Sequence, residues 1–319
     1  GSTVPSWRCP CCPPKETAMD NDINLVQKAA DLYRSLRFSM KYRGLTILSA
    51  EAGNDAIAAA IAAGAPYMAA RCGATEMRTA ADYLQNGGVG FAEKTREDIR
   101  NLSGVFPTDD AALAKFCRTY IDCAHTADLL ALWNVGAERE VVRGCGSATR
   151  YTRLRALEPY YHPHPWSAAL AGKRVLVVHP FKTTIERQYA RRAELFPGTD
   201  ILPQFADLRI VQAVQGLAGA DTGYASWFDA LAAMEQQMDA APYDVAVIGA
   251  GAYGLPLAAH ARDTGHAAIQ MSGALQLLFG IRGKRWDDHP IISKLYNDAW
   301  VRPEETLAHK EKVEGGSYW

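Results

Sequence analysis

The sequence has almost no net charge and no long apolar run, and each absence excludes a class of protein. Its 34 Lys and Arg residues face 35 Asp and Glu residues, which leaves a formal net charge of −1 on 319 residues. Such a chain lacks the broad positive field with which proteins bind nucleic acid or an anionic membrane. No stretch reaches the roughly 18 apolar residues of a membrane-spanning helix. We therefore expect no nucleic-acid partner, no transmembrane segment, and partners that are small or locally recognised.

Regularly spaced cysteine pairs are also missing. The seven cysteines are Cys9, Cys11 and Cys12 near a Pro-rich start, and Cys72, Cys117, Cys123 and Cys145 among apolar neighbours. This odd, scattered set indicates a reducing cytoplasm and not a disulfide framework. The Cys-x-Cys-Cys cluster would need a fourth ligand to hold zinc, and no second cysteine pair supplies one. We predict that residues 1–20 form a tag and a disordered tail.

What the sequence does contain is an alternation of apolar strands with helical segments. The runs "PYMAAR", "GKRVLVVHPF", "YDVAVIGAG" and "AAIQM" are typical of buried strands, and each is followed by residues with helical apolar spacing. This alternation predicts an α/β fold: a Rossmann-like, doubly wound, mainly parallel sheet with helices on both faces.

The domain limits follow from helix signals and changes of composition. A helix is predicted over "NLVQKAADLYRSLRF", and another over "SAEAGNDAIAAAIAAG", with Ser49 as its cap and Gly64 at its end. The region from Thr108 to Trp133 is predicted to be helical, and residues 136–170 are predicted to form a loop or hinge. We therefore predict one α/β domain over residues 21–300 with a helical insertion near 92–135, and a C-terminal tail over 301–319.

The ends of the predicted strands carry polar residues and glycines. Parallel strands bring their carboxyl ends to one edge of a sheet, where Arg71, His179, Gly249 and Ser272 would emerge together. Gly73 to Glu76 occupy a strand-to-helix turn, whose unpaired amides attract anions. A ligand site is therefore predicted at this edge.

A second turn, "GAGAYG", matches the G-x-G-x-x-G pattern of dinucleotide-binding proteins. The acidic ribose ligand expected about 20 residues later is missing, since the next strand ends at Gln270. An NAD-dependent oxidoreductase is thus disfavoured. The glycines either let the backbone approach a phosphate or simply allow close packing between helix and strand.

The combination of motifs resembles the bacterial glycosyltransferases of the GT-D fold. It consists of Arg71-x-Gly73-x-x-Glu76 followed by "QYARR", "LFPGTDILPQF", "WFDALAAM", "GAGAYGLPLAA" and "FGIRGKRW", and it spans Thr46 to Asp288. The resemblance implies a GT-D-type fold and transfer of a sugar from a nucleoside diphosphate sugar, with UDP as the favoured carrier. The acceptor would be a glycan or glycolipid in bacterial surface or protein-linked glycan assembly. The enzyme would work in the cytoplasm, either free or at the inner face of the membrane with an assembly complex.

One position departs from the family pattern. Where the family has Asp-x-Glu, which serves the donor diphosphate through a divalent metal, this chain has Ala74, and Glu76 stands alone. A single carboxylate offsets the charge of Mn²⁺ or Mg²⁺ poorly, so metal dependence is left open. We predict Arg71, Glu76 and His179 as catalytic residues. Glu76 would act as a base or as a lone metal ligand, and a structural ion pair between Arg71 and Glu76 is the alternative.

If metal is weak or absent, cationic side chains must neutralise the departing diphosphate. The predicted donor-binding residues are Gly73, Lys182, Gly249, Gly251, Tyr253, Gly254, Ser272, Gly273, Lys284 and Arg285. Two other classes of function stay open at this point. One is a non-catalytic nucleotide-sugar or glycan-binding module of a larger assembly protein, and the other is the oxidoreductase.

Overall fold

A computed structural model describes residues 33, 35–306, 311 and 315–319. The chain divides into two compact units, residues 1–44 and residues 45–319. In the first unit, residues 35–41 are helical. The predicted tail of residues 1–20, its cysteine cluster and the start of the first predicted helix lie outside the described residues. The strands and the ligand-sized cavities belong to the second unit.

Seven parallel strands form one sheet in the order β3-β2-β1-β7-β6-β4-β5. They are β1 Tyr67–Arg71, β2 Leu129–Leu132, β3 Arg150–Arg153, β4 Arg174–His179, β5 Asp207–Gln212, β6 Val245–Ile248 and β7 Ala267–Gln270. The central strands are buried along their length, as expected where both faces of a parallel sheet are covered. The predicted α/β fold with a Rossmann-like, mainly parallel sheet is confirmed.

Helices connect and cover the strands. They are α1 Ala50–Ala63, α2 Ala74–Asn86, α3 Glu93–Ser103, α4 Asp110–His125, α5 Glu138–Val142, α6 Lys182–Ala190, α7 Arg192–Leu195, α8 Trp227–Asp239, α9 Gly254–Asp263 and α10 Leu275–Leu278. The predicted limits of α1 are confirmed. The Ser49 hydroxyl accepts a hydrogen bond from the Ala52 N–H at 3.1 Å, and Gly64 ends the helix in the left-handed conformation.

Two predictions about secondary structure are wrong. Residues 129–132 form strand β2 and not the end of a helix, so the region near 92–135 is more than a helical insertion. Residues 136–170, predicted as a loop or hinge, contain α5, strand β3 and several 3₁₀ turns. The physical reason is length: β2 and β3 have four residues each, and so short an apolar run has no period that separates strand from helix.

The core is built around large aromatic and aliphatic side chains. Trp166, Trp227 and Trp300 are fully buried, and Trp166 and Trp300 join the aliphatic residues of the sheet in one cluster. No helix in the described part of the chain has both the length and the apolar character needed to cross a bilayer.

Candidate functional site

A cavity of about 210 Å³ opens at the carboxyl edge of the sheet, beside strands β1 and β7. In the sheet, β2 and β3 lie on one side of β1, and β6, β4 and β5 lie on the far side of β7. The cavity therefore opens where these two halves of the sheet meet. The cavity brings together seven of the predicted residues: Arg71, Gly73, Glu76, Gly251, Ser272, Gly273 and Arg285. The sequence prediction of a site at this edge therefore matches the largest cavity described.

Arg71 is the last residue of β1, and it lines the cavity. Its backbone N–H donates to Oε1 of Gln270 at 2.9 Å, which ties β1 to the end of β7. Its guanidinium lies 4.8 Å from the ring centroid of Trp133, and the Trp133 indole N–H donates to the Cys72 carbonyl at 2.8 Å. Arg71 makes no ion pair with Glu76 or with any other described residue. The stacked guanidinium thus keeps its N–H groups available for an anionic ligand.

Glu76 lies in the first turn of α2, and its carboxyl group folds back over Gly73. A Cβ atom at residue 73 would collide with that carboxyl group, so a larger residue there would force the Glu76 side chain to move. The Gly73 N–H donates to the hydroxyl of Tyr120 at 2.9 Å. Burial, followed by the charge of Glu76, raises the pKa of Tyr120 well above its usual range, so this tyrosine stays a neutral hydrogen-bonding partner.

A second carboxylate in this cavity escaped the sequence prediction. Glu158 lies between two 3₁₀ turns, Leu154–Leu157 and Pro159–Tyr161. Burial raises its pKa from 4.5 to about 7, although the charges of Arg71, Arg155 and Arg285 pull the pKa down. Its sequence signal, a Glu among aromatic residues and prolines in an irregular segment, was too weak to separate it from other surface carboxylates.

The pH dependence of stability tests this shift. A carboxyl group whose pKa is raised on folding favours the folded state below its unfolded pKa, and that contribution is lost as pH rises to about 7. Glu158→Gln is therefore expected to match the wild type near pH 4.5 and to be more stable by about 2 kcal/mol, or several degrees in Tm, above about pH 8. Thermal unfolding across this range is the measurement, with exposed Glu140→Gln as the control. Parallel curves for wild type and Glu158→Gln would contradict the shift.

The predicted cations divide between the cavity and the surface. Arg285 lines the cavity and stacks over Trp286 and Tyr318 at 5.2 and 5.0 Å from the ring centroids. Lys284 is exposed and does not line any of the described cavities. Lys182 begins α6, with its side chain 42% exposed and 4.0 Å from Glu186. Of the three predicted phosphate-binding cations, only Arg285 meets Arg71 in one cavity.

His179 lines a smaller cavity of about 100 Å³ that shares Gly251, Ser272 and Gly273 with the larger one. Its Nδ1 accepts a hydrogen bond from the Phe181 N–H at 3.0 Å, so the proton of the neutral ring sits on Nε2. Burial lowers the pKa of His179 to about 3. The ring is therefore neutral near pH 7, and its Nε2–H can donate a hydrogen bond; the catalytic role of His179 stays a prediction.

Two glycines of the motif pack closely against the ends of β4 and β7. A Cβ at Gly249 would come within 3.0 Å of Ser272 and His179 atoms, and one at Gly254 would press on the Gln270 side chain. Tyr253, predicted to contact the donor, is 2% exposed and stacks on Trp227 at 4.8 Å. Gly251 differs, because it has a φ of +54° and lines the cavities.

The last described residues complete the site wall. Residues 315–319, predicted as part of a C-terminal tail, return to the sheet edge, where Tyr318 lines both cavities and Trp319 lines the smaller one. The Tyr318 carbonyl accepts a hydrogen bond from Nε2 of Gln276 at 3.1 Å, and the Ser317 carbonyl accepts one from the Arg285 N–H at 3.0 Å. This segment therefore helps to fix Arg285.

The donor atoms do not fit a resident divalent cation. The described residues contain no group of three or more His, Cys, Asp or Glu side chains that could hold a metal ion. Ala74 offers no side-chain oxygen, and Glu76 and Glu158 share the cavity with Arg71 and Arg285. Mg²⁺ and Mn²⁺ need a near-complete set of oxygen ligands, and adjacent guanidinium groups repel them.

No family model, curated protein or solved structure matches this chain significantly. The resemblance to GT-D glycosyltransferases consequently rests on the motifs quoted above, and function has to be argued from the site.

Proposed function

We propose that the protein is a glycosyltransferase that moves a sugar from a nucleoside diphosphate sugar to an acceptor hydroxyl, in bacterial surface or protein-linked glycan assembly. The observation that carries the proposal is the content of the larger cavity. Two arginines, Arg71 and Arg285, share it with two carboxylates, Glu76 and Glu158, at the carboxyl edge of a parallel sheet. Such a set suits a substrate with an anionic leaving group and a proton to be removed.

The two arginines supply the charge that the leaving group needs. Breaking the bond between the sugar and the diphosphate places negative charge on the phosphate oxygens, and guanidinium groups bind such oxygens through paired N–H donors. The guanidinium of Arg71 lies over the ring of Trp133, and that of Arg285 lies over the rings of Trp286 and Tyr318. Both cations are therefore oriented before the substrate arrives, which is the condition under which electrostatic stabilisation lowers a barrier most.

The smaller cavity supports a nucleotide as the carrier. It joins the larger one at Ser272 and Gly273 and has an apolar wall that includes Phe181 and Trp319. A planar base packs well against such rings. In this arrangement the base occupies the smaller cavity, the diphosphate lies near the arginines and the sugar faces the carboxylates. UDP remains the carrier that we favour.

A thermal-shift panel tests the proposal. UDP, GDP, CMP and dTDP sugars and NADH are each added with and without Mn²⁺. At about 100 times its Kd, a ligand stabilises the folded protein by about 2.7 kcal/mol, or roughly 4 °C in a chain of this size. We expect stabilisation by UDP sugars, unchanged in the exposed control Arg187→Ala.

Two results would contradict the proposal. Stabilisation by NADH alone would indicate an oxidoreductase. If no nucleotide sugar stabilised the protein, the proposal of a donor site would be contradicted. The protein would then be better described as a binding module for another ligand.

A further inference from the structure

The two carboxylates of the larger cavity occupy different environments. Glu76 is 7% exposed and lies over the first turn of its own helix, against Gly73. Free N–H groups at a helix start interact favourably with a charged carboxylate, and Glu76 lies in the first turn of α2. Glu158 lies between two 3₁₀ turns and has no α-helix start of its own.

Glu158 is held in place through its backbone and not through its carboxylate. Its N–H donates to the Arg155 carbonyl at 3.1 Å, and Pro159 starts the next 3₁₀ turn. Within the described residues its carboxylate accepts no hydrogen bond and has no ion pair within 4.0 Å. Carboxylates in such enclosed places are usually paired, because an unpaired charge costs free energy there. An unpaired carboxylate that lines a cavity is therefore available for a reaction.

Two opposing effects of the surroundings set the pKa of Glu158. Arg71 and Arg285 line the same cavity as Glu158. Arg155, which lies over Tyr161 at 4.8 Å from the ring centroid, is the third arginine whose charge acts on Glu158. Tyr160 and Tyr161 follow it in the chain, and burial keeps both phenols neutral by raising their pKa. The loss of water around Glu158 raises its pKa by more than the charges of the three arginines lower it, which leaves the pKa at about 7. A base with this pKa takes up a proton near neutral pH and releases it again.

We infer that Glu158, and not Glu76, is the general base that activates the acceptor hydroxyl; this rests on the proposed function. The acceptor O–H bond breaks and its proton passes to a Glu158 carboxylate oxygen. The acceptor oxygen uses the freed electron pair to form a bond to the anomeric carbon. The bond from that carbon to the diphosphate oxygen breaks, and its electron pair leaves with the diphosphate, whose charge Arg71 and Arg285 offset. With water in place of the acceptor, the same step hydrolyses the donor.

The test uses hydrolysis of UDP-glucose, UDP-galactose and UDP-N-acetylglucosamine by the whole chain, followed as UDP release from about pH 5 to pH 9. Three proteins are compared: wild type, Glu158→Gln and Glu76→Gln. The wild-type rate is expected to rise with pH and to level off above about pH 7. Glu158→Gln should lose about 100-fold in rate together with this pH dependence, because its amide cannot accept the proton. It should still be stabilised by UDP in thermal shift, which shows that the site has folded. Glu76→Gln should keep the pH dependence.

The outcomes separate the two proposals. If the wild type binds and hydrolyses a UDP sugar while Glu158→Gln keeps the wild-type rate and pH profile, the role of Glu158 is overturned and the transferase stands. The same holds if Glu76→Gln alone removes the pH dependence. If none of the UDP, GDP, CMP and dTDP sugars of the thermal-shift panel stabilises the wild type, the proposed function fails and the inference fails with it.

Discussion

Replacing Arg71 by alanine is expected to weaken the binding of UDP about 100-fold, which corresponds to about 3 kcal/mol. The guanidinium stacks on Trp133 at 4.8 Å and has no ion pair among the described residues, so its charge is free to meet the diphosphate. Its loss leaves the phosphate oxygens with Arg285 as the remaining cation of the cavity. Titration calorimetry with UDP measures the effect directly.

Arg71→Lys separates charge from geometry. Lysine keeps the charge but loses the planar fork and most of the stacking on Trp133, so we expect an affinity between those of wild type and Arg71→Ala. The control is Arg187→Ala, because Arg187 is exposed and pairs with Glu304 outside the cavities. Equal affinities for Arg71→Ala and Arg187→Ala would show that Arg71 does not bind the diphosphate.

Replacing Glu138 by alanine is expected to destabilise the fold by about 3–5 kcal/mol. Glu138 is fully buried at the start of α5 and accepts hydrogen bonds from the backbone N–H groups of Trp133 and Asn134, the latter at 2.9 Å. Asn134 adopts a left-handed φ of +70°, which this carboxylate helps to hold. Alanine leaves these donors without their acceptor and opens a cavity. Urea unfolding measures the loss.

Glu138→Ala should also weaken ligand binding. The loop of Trp133 and Asn134 presents the ring on which Arg71 lies, so a loosened loop also weakens UDP binding. Glu140→Ala, two residues away on the exposed side of the same helix, should leave both stability and binding within experimental error of the wild type. If Glu138→Ala behaves like Glu140→Ala, Glu138 does not support the loop.

Much of the fold could be predicted because its signals are local. Strands β1, β4, β6 and β7 are apolar runs flanked by turn residues, and α1 has a Ser cap and a Gly end within the same stretch. Alternation of strand and helix then implies parallel pairing. Strands β2 and β3 were missed because four residues carry too little pattern, and β5, which lies at the edge of the sheet, has an incompletely buried sequence without a clear period.

Part of the site was predictable for the same reason. Arg71, Gly73 and Glu76 sit within one strand-turn-helix unit, so their common position at the sheet edge follows from the local sequence. The chemistry assigned to each was less predictable. His179 stands at the expected strand end, and only its burial in the folded chain, which lowers its pKa to about 3, shows that the ring is neutral near pH 7. Lys182 and Lys284 follow the expected elements but do not line the described cavities.

The sequence by itself determined the alternation of strands and helices and the turn that carries Arg71, because both depend on residues a few positions apart. Only the tertiary structure decided which distant segments complete the cavity. Strand order sets β7 beside β1 and so brings Ser272 and Arg285 to Arg71, while Glu158 and Tyr318 arrive from segments without a regular pattern. The pKa of a carboxylate such as Glu158 depends on the water that these neighbours exclude, and that exclusion exists only after the chain has folded.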